Sequence, residues 1–539
     1  MSAIPVRLLG PGGGVHPVVR SRRIRAFALT GAAALIPLAI ALAISIATPD
    51  PDLALLLGLF LGGLAIVYLV VNPRLEVSVM LVALYLGLLG GPVKLGIGGH
   101  ESGSAVRDVL IAAVCAGAIA RLLVKREPIS MPPLSGWVCA WVAIVLTEAL
   151  NPHTAGLTKS IGGFRQLLEW VPFFFFGYAI MRSKARFRRL FIVLGAIAVA
   201  NAVVGTYQTR LTPQELAAWG PGYAEITLGV KGLSARTFVS EGVARVRPPA
   251  LGTDEGDGGD VGLVALPAAM ALLALGGLRR RWWMLLCFAA ALVAIATCAG
   301  RSQVIGAVLA ALAFVALSFG ALAASGRHAL RPLLTLLCVI LLALPVGAVF
   351  VSALGGSAFA RYKSILTGQN SDNKQVSLKH IPAELSKSPF GVGLGVAGGA
   401  ASFGNSGTAS AGSSGESQES HNPDAETQYN FLADETGVPG LLLWVGLSAT
   451  LIYRVFTGLR RVRDVELLLG IAAMFSAFLA ITAIGFYGPT LTDAVFGPFF
   501  WFFAGTVSYW FLGPGRAALS AGGDAHADTG MPAGAGVLA

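Results

Sequence analysis

Long apolar runs separated by short polar breaks fill most of this chain. Runs at about 26–47, 53–71, 77–98, 106–124, 134–150, 163–181, 190–210, 261–278, 282–299, 303–324, 332–353, 438–456, 465–486 and 490–512 each approach the roughly 20 residues that a helix needs to cross a bilayer. The pattern predicts an all-α polytopic membrane protein with about 12–14 transmembrane helices. Two polar intervals, at about 211–260 and 354–437, break the series, and the second precedes the last two or three spans. The resulting organisation is a basic cytoplasmic tail over 1–25, a helical domain over 26–353 with an outer loop at about 211–260, and a large extracytoplasmic loop over 354–437. C-terminal spans over 438–512 and a disordered cytoplasmic tail over 513–539 complete it. Residues 400–419 are Gly/Ser-rich and read as a flexible part of the large loop.

Composition agrees with this pattern. The 539 residues are 55% hydrophobic and only 12% charged, with a mean hydropathy of +0.72, whereas about a quarter of a soluble domain is charged. The five cysteines, Cys115, Cys139, Cys287, Cys298 and Cys338, lie in apolar runs without metal-ligand or redox spacing and read as small buried hydrophobes. A net charge of +11 could suggest nucleic acid, but in a membrane protein an excess of Lys and Arg reports topology. With the N-terminus inside, Arg74, the Arg121/Lys125/Arg126 group, Arg182 to Arg189, Arg279 to Arg281 and Arg454 to Arg463 all fall on the cytoplasmic side. The cations left outside lie mostly in the two long outer segments, where the topology rule has little force. A lipid-linked diphosphate or an acidic glycan would account for them.

Candidate chemistry is sparse inside the runs. Gly393-Leu-Gly395-Val-Ala-Gly398 has the GxGxxG spacing but lacks the strand and ribose acid of a dinucleotide site, so it reads as a glycine turn dipping toward the membrane. Neither a phosphate-binding P-loop nor HExxH occurs, and no metal or cofactor is called for. Arg301 joins two spans and reads either as an interfacial arginine or as a phosphate clamp. Arg165 and Glu169 are four apart and can pair on one helix face. Glu435-Thr-Gly437-Val-Pro439-Gly440 reads as helix end, turn and restart, fed by a short helix.

Taken in order, several pieces resemble the O-antigen ligase and O-antigen polymerase superfamily of bacterial glycan-joining membrane enzymes. These are Arg165, Arg245-Val-Arg247 ahead of a span, Ala299-Gly300-Arg301-Ser302, Arg361-Tyr-Lys-Ser364, Lys374, Pro389-Phe-Gly391-Val-Gly393-Leu-Gly395, and the Tyr429 to Gly440 stretch. The resemblance runs from about Arg165 to Gly440. It implies a GT-C-like architecture in a bacterial cytoplasmic membrane, with the site facing outward. It further implies transfer of a glycan from a polyprenyl-diphosphate carrier to a hydroxyl of a glycan, lipid or protein, with neither nucleotide nor metal. On this reading Arg247, Arg361 and Lys374 bind the diphosphate, with Arg165, Arg245, Arg301 and Glu435 supporting the site. Counting back from Tyr429 and Glu435 places Glu426, not His421, at the family's histidine position, so the base is His421 or Glu426. The competing reading is a multi-span transporter or flippase for a lipid-linked oligosaccharide, whose mark would be ionisable residues inside the membrane. A non-catalytic assembly partner would not need this many outer cations.

Overall fold

The computed structural model describes residues 62–72, 74–97, 99–125, 131–154, 156–228, 237–240, 243–254, 256–275, 281–324, 371–397 and 427–521. The expected spans at 26–47 and 332–353, the stretch 400–419, and Arg361, His421 and Glu426 lie outside them.

The described chain is mostly helical. It opens with α1 (Gly62–Val71), α2 (Leu75–Leu88), a π-helical turn π1 (Pro92–Ile97), α3 (Gly99–Lys125), α4 (Ser135–Ala149), α5 (Leu157–Leu168), α6 (Pro172–Ile180) and α7 (Lys184–Gln208). Then come α8 (Pro213–Ala217), α9 (Pro221–Leu228), a hairpin of β1 (Thr237–Ser240) and β2 (Val243–Val246), α10 (Asp257–Leu275), α11 (Arg281–Thr297) and α12 (Arg301–Ala324). The last elements are α13 (Ser371–Lys387), α14 (Gln428–Leu459), α15 (Val465–Ile484), α16 (Phe496–Val507), a second π turn (Ser508–Leu512) and α17 (Gly515–Ala521).

Among the described residues, five helices are long and apolar enough to cross a membrane: α7, α10, α12, α14 and α15. Helices α1, α2, α4 and most of α11 are shorter but equally apolar. By length and composition the set is compatible with a multi-pass membrane protein. Helix α10 is central and packs against α7, α11, α12 and α15. It is apolar on every side after Asp260 and rich in Gly and Ala, and such a helix is stable only when neighbours surround it closely. A second core is aromatic. Trp141 of α4, Trp444 of α14 and Phe500 and Trp501 of α16 meet there, with Trp444 stacked on Phe500 at 4.1 Å between centroids.

Two departures from the expected spans have a backbone cause. The run at 163–181 is not one helix: it breaks between Leu168 and Pro172, because proline lacks the N–H that would continue the ladder and starts α6 instead. Helix α14 kinks at Gly437 (φ +60°, ψ −156°), two residues before Pro439, which matches the end, turn and restart expected there. The segment at about 211–260, expected to be an outer loop, also carries more order than a loop. Thr212 and Glu215 form a capping box on α8, and β1 pairs antiparallel with β2 from Thr237 opposite Val246 to Ser240 opposite Val243. The tail expected to be disordered from 513 begins with α17, held because Leu519 is buried. Of the four cysteines described, Cys287 and Cys298 are buried as expected, Cys115 is half-buried and Cys139 is exposed on α4. Exposure of a small apolar side chain on an apolar helix carries no penalty where its outer surface faces hydrocarbon.

Candidate functional site

The segment from Arg247 to Asp260 is shaped by two buried amides of α7. Gln208 pairs with both backbone groups of Ala250: Ala250 N donates to its Oε1 at 2.8 Å, and its Nε2 donates to Ala250 O at 3.1 Å. Asn201 Oδ1 accepts from Leu251 N at 3.1 Å, while its Nδ2 donates to Gly87 O at 2.8 Å. Together they hold Ala250 at φ +56°, a conformation that a β-carbon disfavours and that is kept only where surrounding contacts over-determine it.

The chain then turns directly into α10. Asp257 Oδ2 accepts from Thr253 N at 2.6 Å, Thr253 Oγ1 at 3.0 Å and Asp254 N at 3.1 Å. One turn on, Asp260 Oδ1 accepts from Gln303 Nε2 at 3.0 Å. Gln303 lies in the first turn of α12, directly after Arg301 and Ser302, and this is how the Arg301 corner is fixed to the start of α10. Asp493 enters from the loop before α16, where its Oδ1 accepts from Val495 N and Phe496 N at 2.7 Å each. Carboxylate oxygens of Asp257, Asp260 and Asp493 all lie within 4.8 Å of one another, an oxygen set that could hold a divalent cation.

A second group of charges, half-buried, sits alongside. Arg107 of α3 donates Nη2 to Glu169 Oε2 at 2.5 Å, and its guanidinium lies 4.8 Å from the centroid of the Trp170 ring. Arg165 forms an ion pair with Asp108, its Nη2 donating to Asp108 Oδ1 at 3.2 Å. The expected pairing of Arg165 with Glu169 is present only at 4.0 Å, since α3 supplies a closer partner to each. The turn π1, which carries the buried Lys94, packs against α3, and just before it Gly91 N donates to Leu251 O at 3.1 Å on the turn that leads into α10. A partly buried seam of charge thus runs from the break between α5 and α6, past π1, to the starts of α10 and α12.

The glycine-rich segment docks elsewhere on the same helices. Gly391, Gly393 and Gly395 have φ of +87°, +95° and +77°, so every second residue takes a conformation open to glycine. This lets the backbone press against three partners at once. Val392 N donates to Asp434 O at 2.7 Å and Val438 N to Pro389 O at 2.9 Å. Gly395 N and Ala397 N donate to Glu435 Oε1 at 2.9 and 3.2 Å, and Glu435 is fully buried. On the other side, Leu394 lies against Gly163, and Gly395 lies against Lys159 of the Arg165 helix. Glu435 therefore does more than end a helix turn: its carboxylate collects the N–H groups of the glycine turn.

No family model, curated protein or solved structure matches this chain. The resemblance described above therefore rests on the residues quoted for it. Of these, the structure places Arg165 and Arg301 at opposite ends of the charged seam and Arg247 on the segment that feeds it. Arg247 and Arg301 are both half-buried. Arg245 is exposed on β2 opposite Phe238. Lys374 lies on α13, and Glu435 is buried beneath the glycine turn. Sequence reasoning gave no role to Lys94, Arg107, Asp108, Asp257, Asp260, Gln303 or Asp493. Lys94 had a signal, being the sole charge in the run at 77–98. Asp257 and Asp260 had one too, since residues three apart share a helix face. Asp493 had none.

Proposed function

We propose that the chain is a membrane glycosyltransferase of the O-antigen ligase and polymerase type, acting at the outer face of a bacterial cytoplasmic membrane. The observation that carries this reading is that sequence-distant stretches quoted for the resemblance pack on one another. Pro389–Gly395 docks on Glu435–Gly437 and on the Arg165 helix, and the Arg301 corner is tied through Gln303 to the start of α10, which follows Arg247. In the proposed reaction the acceptor oxygen bonds to the anomeric carbon of the donor glycan, and the bond from that carbon to the carrier diphosphate breaks. The acceptor proton passes to His421 or Glu426, and the polyprenyl diphosphate leaves with the bonding electrons. Arg247, Arg361 and Lys374 stabilise the charge growing on that diphosphate, because guanidinium and ammonium donors are strongest where charge develops.

The partly buried seam gives the transporter reading one supporting observation, since Lys94, Asp257, Asp260 and Asp493 are ionisable groups inside a helical body. The test separates the two. Replacing Arg361 with alanine abolishes transfer of a polyprenyl-diphosphate oligosaccharide to a hydroxyl acceptor, measured by gel and mass spectrometry, while the protein stays inserted and folded. Wild-type turnover in that variant contradicts the assignment. A ladder of repeats from the wild type identifies a polymerase, and a single joined product a ligase.

A further inference from the structure

Helix α14 ends as a helix does where it leaves a bilayer. Along its exposed side Leu442 and Val445 are followed by Tyr453 and Phe456, and then by Arg460 and Arg461. Aliphatic side chains suit hydrocarbon, aromatic rings gather at its boundary with the headgroups, and long cations reach the headgroups themselves. Rings and cations touch here. The Arg454 guanidinium lies 5.9 Å from the centroid of Tyr453, and that of Arg460 lies 5.8 Å from the centroid of Phe456. At about 1.5 Å per residue, Arg460 stands about 6 Å beyond Phe456 along the helix axis. A headgroup layer is about 5–8 Å deep, so the end of α14 lies within one.

Just past this belt the chain builds a cleft. The turn from α14 to α15 faces the stretch 513–519, and Arg461, Gly513, Pro514, Arg516, Ala517 and Leu519 line a cavity of about 510 Å³. That volume falls in the range of about 300–1,000 Å³ in which small ligands are held. Both walls are fixed. Arg463 N donates to Leu519 O at 3.4 Å, Arg461 N to Gly458 O at 2.9 Å and Arg516 N to Gly513 O at 3.1 Å, and the Phe511 ring lies against Gly458. Apart from the two arginines, no lining residue carries a polar side chain. The nearest acids in sequence serve α7 instead. Asp464 Oδ1 accepts from Leu467 N at 2.9 Å and its Oδ2 from Lys184 Nζ at 3.2 Å, while Glu466 pairs with Arg188 at 2.5 Å. Two guanidinium groups lining one cleft repel each other, and an anion between them turns that repulsion into attraction.

We propose that Arg461 and Arg516 seat the phosphate group of an anionic phospholipid, whose acyl chains run back along the exposed side of α14 past Phe456 and Tyr453. A guanidinium fork matches phosphate oxygens in pairs, and the aromatic belt places the cleft at the depth where those oxygens lie. The site does not depend on the glycosyltransferase reading, since it lies at the arginine-rich end that the cation distribution assigns to the cytoplasmic side.

The test uses purified full-length protein in detergent, titrated with phosphatidylglycerol or with phosphatidylcholine of the same chains, and followed by native mass spectrometry. Wild type binds phosphatidylglycerol more tightly than phosphatidylcholine. Arg461→Gln with Arg516→Gln weakens phosphatidylglycerol binding by about thirtyfold, the worth of two cations at a headgroup, and leaves phosphatidylcholine within about twofold. Equal phosphatidylglycerol affinity in the folded wild type and double variant overturns the proposal. A charge-matched variant, Arg454→Gln with Arg460→Gln, keeps the affinity within about threefold, because salt screens charges that do not touch the ligand. A loss as large as that of the first pair would make the effect one of net charge and overturn the seat. A large molar excess of inorganic phosphate leaves the lipid bound; displacement would give the seat to a soluble phosphate and overturn the lipid assignment. Should the double variant fail to fold, Arg516→Gln alone carries the test, with an expected loss of about fivefold and the same contrary result.

Discussion

Alanine at Gly437 undocks the glycine-rich segment and reduces transfer to background. The dihedrals of Gly437, φ +60° and ψ −156°, lie in a region that is essentially restricted to glycine. A β-carbon there would also meet the backbone of Pro389, Phe390 and Gly391, and backbone cannot swing aside as a side chain does. Strain and overpacking together cost about 3 kcal/mol or more. The helix can escape that cost by letting go of the segment. Hydrogen exchange reads this directly. In the wild type the amides of Val392, Gly395, Ala397 and Val438 are protected by Asp434 O, Glu435 Oε1 and Pro389 O. In Gly437→Ala they exchange rapidly while the α10 core stays protected. Unchanged protection at these four amides would show that the kink is not what holds the segment.

Methionine at Arg107 destabilises the fold by about 3–5 kcal/mol, because it leaves the enclosed Glu169 carboxyl without its close partner. Removing both charges, in Arg107→Met with Glu169→Leu, restores most of that stability. A buried pair contributes little net free energy against an apolar replacement of similar size, whereas half of one is costly. Part of the single-variant loss comes from the guanidinium over Trp170, which the double variant does not recover. Chemical unfolding in detergent measures the cycle. Additive losses, with the double variant worse than either single one, would mean that Arg107 and Glu169 do not act as a pair.

These two predictions concern features of different legibility. The Gly437 kink was written in the chain: a glycine two residues before a proline, between a short polar helix and an apolar run, announces a stop and restart. The partner of that kink was half visible. Glycines at 391, 393 and 395 announced a turn, but nothing local said that the turn would close on Glu435, since that contact joins residues forty apart. The Arg107 pair was hidden for a similar reason. Glu169 had a nearer candidate in Arg165, and only the crossing of α3 past the break between α5 and α6 gives it a better one. Asp493 lies further still from its partners. It approaches Asp257 and Asp260 because α15 packs beside α10 and α16 beside α15, and hydropathy does not report which spans are neighbours. Spans were legible wherever the helix runs unbroken, as in α7, α10 and α15. Pro172 divided one span that hydropathy alone joined.

The central claim is a bond made and a bond broken at the outer membrane face. Sealed vesicles carrying the purified protein, loaded with a polyprenyl-diphosphate oligosaccharide and a hydroxyl acceptor on the outer side, test it directly when mass spectrometry counts both products. The account predicts one polyprenyl diphosphate released for each new glycosidic bond, with both lost in Arg247→Ala. No bond formed while labelled donor lipid crosses between leaflets would contradict it and establish transport instead.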